Sequence, residues 1–429
     1  MIIGIDASRA NRDHKSGTEW YAYYIIRWLA KLDSKNQYIL YTDKPLKGGL
    51  LDLATSQYFV DGGKIEKIKV DKKSRQEIIS PHNNFKCKVL KWPFTYFWTQ
   101  GRLSLEMFFQ PPDVLFIPSH ALPLIHPKKS IVTIHDIGFT KEKALYRKED
   151  LGPNYKATKK ILNLFVKIFT KGKYRADSTD YLHWSTEFAL KKAKIIITVS
   201  RFTKNELKKV YKVDGNKIKV IYNGYNKYIY KKIKDKNKIV DVLVKYGIEQ
   251  PYLLYVGRID KKKNIPALVE AYAIMKENNK DIPQKLVLAG DAYFGYDEVN
   301  YMISEFALED QVIMPGWIEE EDLPYLYAGA TAFVFPSNYE GFGIPLLQAM
   351  ACGVPIAASR SSSIPEVVGG AALLFDPKNV RSIARALEKI IIDAELQDKL
   401  KKLSQERIKK FSWQRTAEDI LKIINGLEK

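Results

Sequence analysis

Ser337-Asn-Tyr-Glu-Gly-Phe-Gly-Ile-Pro-Leu-Leu-Gln-Ala-Met-Ala-Cys-Gly-Val-Pro355 is the stretch on which the reading of the fold turns. The apolar run before it, Thr331-Ala-Phe-Val-Phe-Pro336, reads as a buried strand. Glu340-Gly341-Phe342-Gly343 then makes a turn, because two glycines permit backbone angles and close approaches that a Cβ would block. Pro345 suits the first turn of a helix, where its missing N–H is no loss. The helix continues through Leu346-Leu-Gln-Ala-Met-Ala351 and is stopped by Gly353 and Pro355. The product is a strand, a glycine turn carrying a carboxylate, and a helix N-terminus, whose orphan N–H groups and dipole favour anions.

Outward from this unit, short apolar runs alternate with helical patterns. Strands are expected at 2–5, 38–41, 65–70, 114–117, 131–134, 195–199 and 218–221, then at 253–256, 286–289, 312–314, 332–335, 355–358 and 372–375. Helical stretches such as 19–32 and 267–276 fall between them. Val, Ile and Leu on both faces, with helices between, mean parallel sheets covered on both sides. A chain of 429 residues exceeds one ordinary core, so the two series read as two doubly wound, Rossmann-like α/β domains with ligands at the carboxyl ends of the strands. The divisions read as 1–225, 226–410 and an amphipathic helix at 411–429, with a charged linker near 225–245. Ser412 is placed to cap that last helix.

The composition is that of a globular protein. Cys87 and Cys352 fit no metal-ligand spacing, which points to free thiols in a reducing compartment. No apolar run reaches about 18 residues, and Met1-Ile-Ile-Gly-Ile-Asp-Ala-Ser8 has no signal-peptide pattern, so a cytoplasmic protein is expected. A formal charge of +20 fits a lysine-rich proteome, nucleic acid or an anionic membrane. No zinc finger, recognition helix or aromatic–basic sheet supports nucleic acid.

A basic insert at about 139–192 interrupts the alternation with no strand signal. Within it, Ile161, Leu162, Phe165, Ile168 and Phe169 fall on one helical face, and the same stretch carries Lys156, Lys159, Lys160, Lys167, Lys171 and Lys173 with no acid. Such a helix suits an anionic membrane surface; the other reading is a core-packing helix with a solvated lysine face. Trp92-Pro-Phe-Thr-Tyr-Phe-Trp98 is an aromatic patch open to the same two readings, acceptor-side surface or core.

The second domain opens with Tyr255-Val-Gly-Arg-Ile-Asp-Lys-Lys-Lys-Asn264. Arg258 and Lys263 on one strand-end loop suit a diphosphate, one as a planar fork of donors and the other as a point charge. Gly-Arg-(x)4-Lys followed by Glu340-Gly-Phe-Gly343 resembles glycosyltransferase family 4, retaining nucleotide-sugar enzymes of the GT-B fold. The resemblance extends to Lys15-Ser-Gly-Thr-Glu19, Thr133-Ile-His-Asp136, Ile197-Thr-Val-Ser-Arg-Phe-Thr203, Val220-Ile-Tyr-Asn-Gly224, Pro315-Gly-Trp-Ile318 and Phe411-Ser-Trp413.

It implies two domains facing a cleft, with the last helix crossing back to the first. Arg258 and Lys263 would neutralise the donor diphosphate without a metal or other cofactor, and the helix start at Gly343 and Ile344 would add backbone donors. Glu340 would hold a hydroxyl of the donor sugar, the backbone around Trp317 and Ile318 would line the base, Gly17 would admit the diphosphate, and His135 would touch the sugar. The family's second carboxylate, which accepts hydrogen bonds from the nucleotide ribose, is Gln348 here; it keeps an acceptor and loses the charge, so weaker ribose binding rather than inactivity is expected. The function implied is transfer of a hexose to a hydroxyl of a glycan or lipid-linked acceptor in cell-surface polysaccharide synthesis. Mannose from GDP-mannose is the first choice, with UDP-glucose and UDP-N-acetylglucosamine open. The placement implied is cytoplasmic or peripheral on the inner membrane face. A catalytically silent binding subunit is the alternative.

Overall fold

A computed structural model describes residues 1–53, 56–61, 64–68, 83–93, 97–142, 145–146, 166–167 and 171–428. The chain divides into two compact units. Unit 1 takes Met1–Thr140, Lys148–Asn223 and Trp413–Lys429; unit 2 takes Gly224–Ser412 with Lys141–Arg147. Most of the basic helix expected at 156–173, including Lys156, Lys159 and Lys160, lies outside the described residues, as do 94–96 of the aromatic patch.

Unit 1 holds β1 (Ile2–Asp6), β2 (Gln37–Thr42), β3 (Ser56–Asp61), β4 (Lys64–Ile68), β5 (Phe85–Leu90), β6 (Val114–Ile117), β7 (Ser130–Ile134), β8 (Ile195–Thr198) and β9 (Ile218–Val220). They form one sheet in the order β4-β3-β5-β2-β1-β6-β7-β8-β9, parallel except for the β3–β4 pair. Its central strands are buried along their length, as an Ile- and Val-rich strand covered on both faces must be. β5 was not expected, because Lys86 and Lys88 interrupt its apolar pattern; Phe85, Cys87 and Val89 are nevertheless buried, and Lys88 reaches Glu106 at 2.8 Å.

Unit 2 holds β10 (Tyr252–Val256), β11 (Lys285–Ala289), β12 (Val312–Gly316), β13 (Ala332–Phe335), β14 (Ile356–Ser359) and β15 (Leu373–Phe375), all parallel in the order β12-β11-β10-β13-β14-β15. The stretch expected as a charged linker carries the helix Lys236–Lys245 instead. Its Ile239, Val242 and Leu243 are buried, a short apolar stripe that the surrounding lysines obscure.

The helix Trp413–Asn425 belongs to unit 1 although it follows unit 2 in sequence. Trp413 is 2% exposed and stacks on Tyr24 with centroids 5.4 Å apart. Thr416 Oγ1 donates to the Tyr222 carbonyl at 2.7 Å, and Asn36 Nδ2 donates to Asn425 Oδ1 at 3.1 Å. Trp413→Ala is expected to destabilise unit 1 by about 3–5 kcal/mol, as large-to-small core changes do. Denaturant unfolding checks this, and an unchanged midpoint would show that the helix is not part of that core. Both cysteines are free and buried, and no helix among the described residues is long and apolar enough to cross a membrane.

Candidate active site

The order of the second sheet explains why distant motifs meet. From β10 the chain moves to β11 and β12 on one side, then returns to place β13 on the other side of β10. Ligands bind at such a switch point, at the carboxyl ends of the strands. The loop after β10 carries Arg258 and Lys263, and the loop after β13 carries Glu340. Lys263 Nζ is in direct hydrogen-bonded ion pair with Glu340 Oε1. Their side chains are 18% and 10% exposed, so neither charge is dissolved in bulk water.

The supports of this pair were not singled out in the sequence. Asp260 caps the short turn Lys261–Lys263, accepting from the Lys263 amide at 2.9 Å, and lies 3.9 Å from Arg258 Nε. Ser362 Oγ accepts from the Glu340 amide at 2.8 Å, and Ser363 Oγ donates to the Glu340 carbonyl at 2.9 Å. Both serines follow β14, the next strand across, and the run Ser361-Ser-Ser363 at a strand end was the available signal. The Asn338 amide donates to the Lys262 carbonyl at 3.0 Å, tying the two loops together. Arg258 is half exposed and lies over the Tyr293 ring at 4.5 Å.

Gly343 is the residue before the helix Ile344–Cys352, at φ +95°, and an added Cβ would meet Leu346 Cδ1 at 3.0 Å. Pro345 falls in the first turn and Gly353 closes the helix in the left-handed region, so the local reading of the opening stretch holds. Gln348 accepts from the Tyr327 hydroxyl at 3.2 Å. After β12, Trp317 is 41% exposed while Ile318 is buried. Arg258, Lys263, Glu340, Gly343, Ile344, Gln348, Trp317 and Ile318 all belong to unit 2.

Gly17 and His135 belong to unit 1. Gly17 is exposed and begins the helix Gly17–Leu32, where the Ser16 amide donates to Glu19 Oε2 at 3.2 Å. His135 follows β7. Its Nε2 lies 3.0 Å from the Pro118 carbonyl, which can only accept, so the proton sits on Nε2 and Nδ1 is left as an acceptor. Burial holds its pKa below the usual range, and its ring packs edge-on to Tyr21 at 4.8 Å. A neutral imidazole of this kind can accept a hydroxyl proton in a hydrogen bond but brings no positive charge.

Two parallel-sheet units, with a paired cation and carboxylate at a switch point beside a helix N-terminus, define a two-domain α/β enzyme of the GT-B type. The model of glycosyl transferases group 1 matches residues 235–407, and that of glycosyltransferase family 4 matches residues 15–227. O-antigen chain mannosyltransferase B of Escherichia coli is 31% identical over 322 residues, covering 73% of this chain and 80% of that protein. O-antigen chain mannosyltransferase RfbU of Salmonella typhimurium is 25% identical over 305 residues, covering 71% and 72%. Sucrose-phosphate synthase from Thermosynechococcus elongatus has the same fold, with a TM-score of 0.69 at 18% identity over 99% of this chain and 98% of that one. The chain belongs to the group 1 glycosyltransferases of family 4, and it is a glycosyltransferase of glycan biosynthesis.

Proposed function

We propose that the protein transfers mannose from GDP-mannose, with retention of anomeric configuration, to a hydroxyl of a glycan or lipid-linked acceptor. The observation that carries the site is the Lys263–Glu340 pair at the switch point, next to the helix that starts at Ile344. The mannosyl preference is supported by the relatives in O-antigen synthesis.

In this reading Arg258, Lys263 and the amides at Gly343 and Ile344 bind the donor diphosphate. They stabilise the charge that grows on the β-phosphate as its bond to the anomeric carbon breaks. The acceptor oxygen bonds to that carbon on the same face, and its proton passes to the departing phosphate oxygen, so no metal and no separate base takes part. Glu340 orients a sugar hydroxyl and simultaneously holds Lys263. His135 Nδ1 accepts from another hydroxyl, the backbone around Trp317 and Ile318 lines the base, and Gly17 leaves room beside the phosphates. A lipid-linked acceptor would put the enzyme on the inner face of the membrane.

Calorimetric titration with GDP and with UDP tests the donor assignment. GDP is expected to bind more tightly than UDP; binding of neither would overturn the donor site, and preference for UDP would overturn the mannosyl assignment. In the same titration Gln348→Glu is expected to tighten nucleotide binding by about fivefold, the difference between a neutral and a charge-assisted hydrogen bond to the ribose. The Tyr327 hydroxyl that now donates to Gln348 can donate equally to a carboxylate. Unchanged or weaker affinity would remove Gln348 from the ribose contact.

A further inference from the structure

Tyr293 belongs to none of the sequence motifs, yet it touches the loop that carries Arg258. It lies in the loop after β11 with its ring 50% exposed, and the Arg258 guanidinium carbon sits 4.5 Å from the ring centroid. Backbone pairing builds this contact. The Ile259 amide donates to the Asp291 carbonyl at 2.9 Å, the Tyr293 amide to the Ile259 carbonyl at 3.1 Å, and the Lys261 amide to the Phe294 carbonyl at 2.9 Å. These bonds carry the parallel pairing of β10 and β11 past the strand ends, with Ile259 and Ala292 as bridge partners. Side chains alternate between the two faces of such a pair. Ile259 is 1% exposed and faces the core. Its neighbour Arg258, and Tyr293 beside Ala292, therefore share the opposite face.

A guanidinium binds a diphosphate through N–H groups that lie in its own plane. A carboxylate support would occupy those groups. Asp260 Oδ2 is 3.9 Å from Arg258 Nε, which attracts the cation without a hydrogen bond, and Asp260 Oδ1 is taken by the Lys263 amide at 2.9 Å. A ring face holds a cation by its quadrupole and not by a lone pair. Tyr293 can therefore steady Arg258 while the donor fork stays free for phosphate oxygens. The Arg258 backbone is already fixed, because the buried Tyr255 hydroxyl donates to its carbonyl at 2.9 Å. Only the long side chain remains to be ordered when a ligand arrives, and restricting it beforehand lowers the entropy that binding must give up.

We infer that Tyr293 is a positioning residue, whose ring face holds the Arg258 guanidinium ready for the donor diphosphate; this rests on the reading of Arg258 as a diphosphate ligand. Tyr293 itself touches neither nucleotide nor sugar in this arrangement. Its whole effect on binding passes through Arg258, and it depends on the ring rather than on the phenol oxygen.

The test is a double-mutant cycle on the full chain, titrated calorimetrically with GDP and with UDP. It compares the native protein with Tyr293→Leu, Arg258→Ala, the two combined, and Tyr293→Phe. For the nucleotide that binds, Tyr293→Leu is expected to weaken affinity by roughly two- to fivefold, the worth of an exposed cation–π contact. Tyr293→Phe keeps the ring face and is expected to keep the affinity. In the Arg258→Ala background, Tyr293→Leu is expected to cost nothing further, whereas a merely structural ring would cost the same in both backgrounds. Tyr293→Gln removes the ring without adding apolar surface and gives a second reading if Tyr293→Leu does not fold. Full affinity without the ring, an equal loss with and without Arg258, or a loss in Tyr293→Phe as large as in Tyr293→Leu would overturn the inference. Those outcomes leave the diphosphate site standing as long as Arg258→Ala weakens binding. Full affinity in Arg258→Ala, or no nucleotide binding by the native protein, overturns the diphosphate reading and the role of Tyr293 with it.

Discussion

Lys263→Ala is expected to slow sugar transfer by roughly 10²–10³-fold, the effect of removing one preorganised charge from a developing oxyanion. Nucleotide release from GDP-mannose in the presence of acceptor measures it, and a separate GDP titration reads ground-state binding. The diphosphate is charged before reaction as well as during it, so some loss of affinity accompanies the rate. The larger part should fall on kcat, because charge accumulates on the β-phosphate as the glycosidic bond breaks. Removing the lysine also leaves Glu340, 8% exposed, without its cation. Glu340→Gln is therefore the companion variant: it preserves shape and hydrogen bonding without a stranded charge. A stranded carboxylate would show as a lower melting temperature of Lys263→Ala that the Lys263→Ala, Glu340→Gln double variant restores. Transfer is expected to stay slow in the double variant, because Glu340 also orients the sugar. Transfer at the native rate in Lys263→Ala would remove this lysine from the charge that develops on the donor diphosphate.

The second large effect concerns backbone. Gly290→Ala is expected to destabilise unit 2 by about 3 kcal/mol or more, lowering its melting temperature by roughly 6 °C or more. Gly290 sits after β11 at φ +144°, a region L-residues rarely enter. A Cβ there would lie 2.0 Å from the Gly257 carbonyl oxygen, which is backbone and cannot rotate away. The Gly290 amide meanwhile donates to the Gly316 carbonyl at 2.8 Å. Three adjacent strand ends thus converge through Gly257, Gly290 and Gly316, and relief of the clash must shift the loop that carries Arg258. Differential scanning calorimetry, with nucleotide affinity as a second readout, checks this; a native melting profile would mean the loop yields without cost.

Much of the fold was legible because it is local. The strand, glycine turn, Pro345 and Gly353 of the opening stretch each act through their own backbone angles, and the structure shows each at its expected place. Where neighbours in sequence carried mixed signals, the reading failed. β5 was hidden by Lys86, which is exposed, and Lys88, which is largely covered in its pair with Glu106, while alternate residues are buried. The helix Lys236–Lys245 was hidden by lysines around three buried apolar positions.

The sequence by itself determined that this chain is built from parallel α/β units, which loops end their strands, and which cations and carboxylates those loops carry. Periodicity, glycine and proline act within a few residues, so a linear reading can recover them. Tertiary structure alone decided that β13 lies beside β10, and so that Glu340 meets Lys263 from 77 positions away. It also decided that Ser362 and Ser363 hold the Glu340 backbone, and that Tyr293 lies over Arg258. Those choices depend on strand order and on which polar groups find partners after burial, and no local pattern in the chain encodes either.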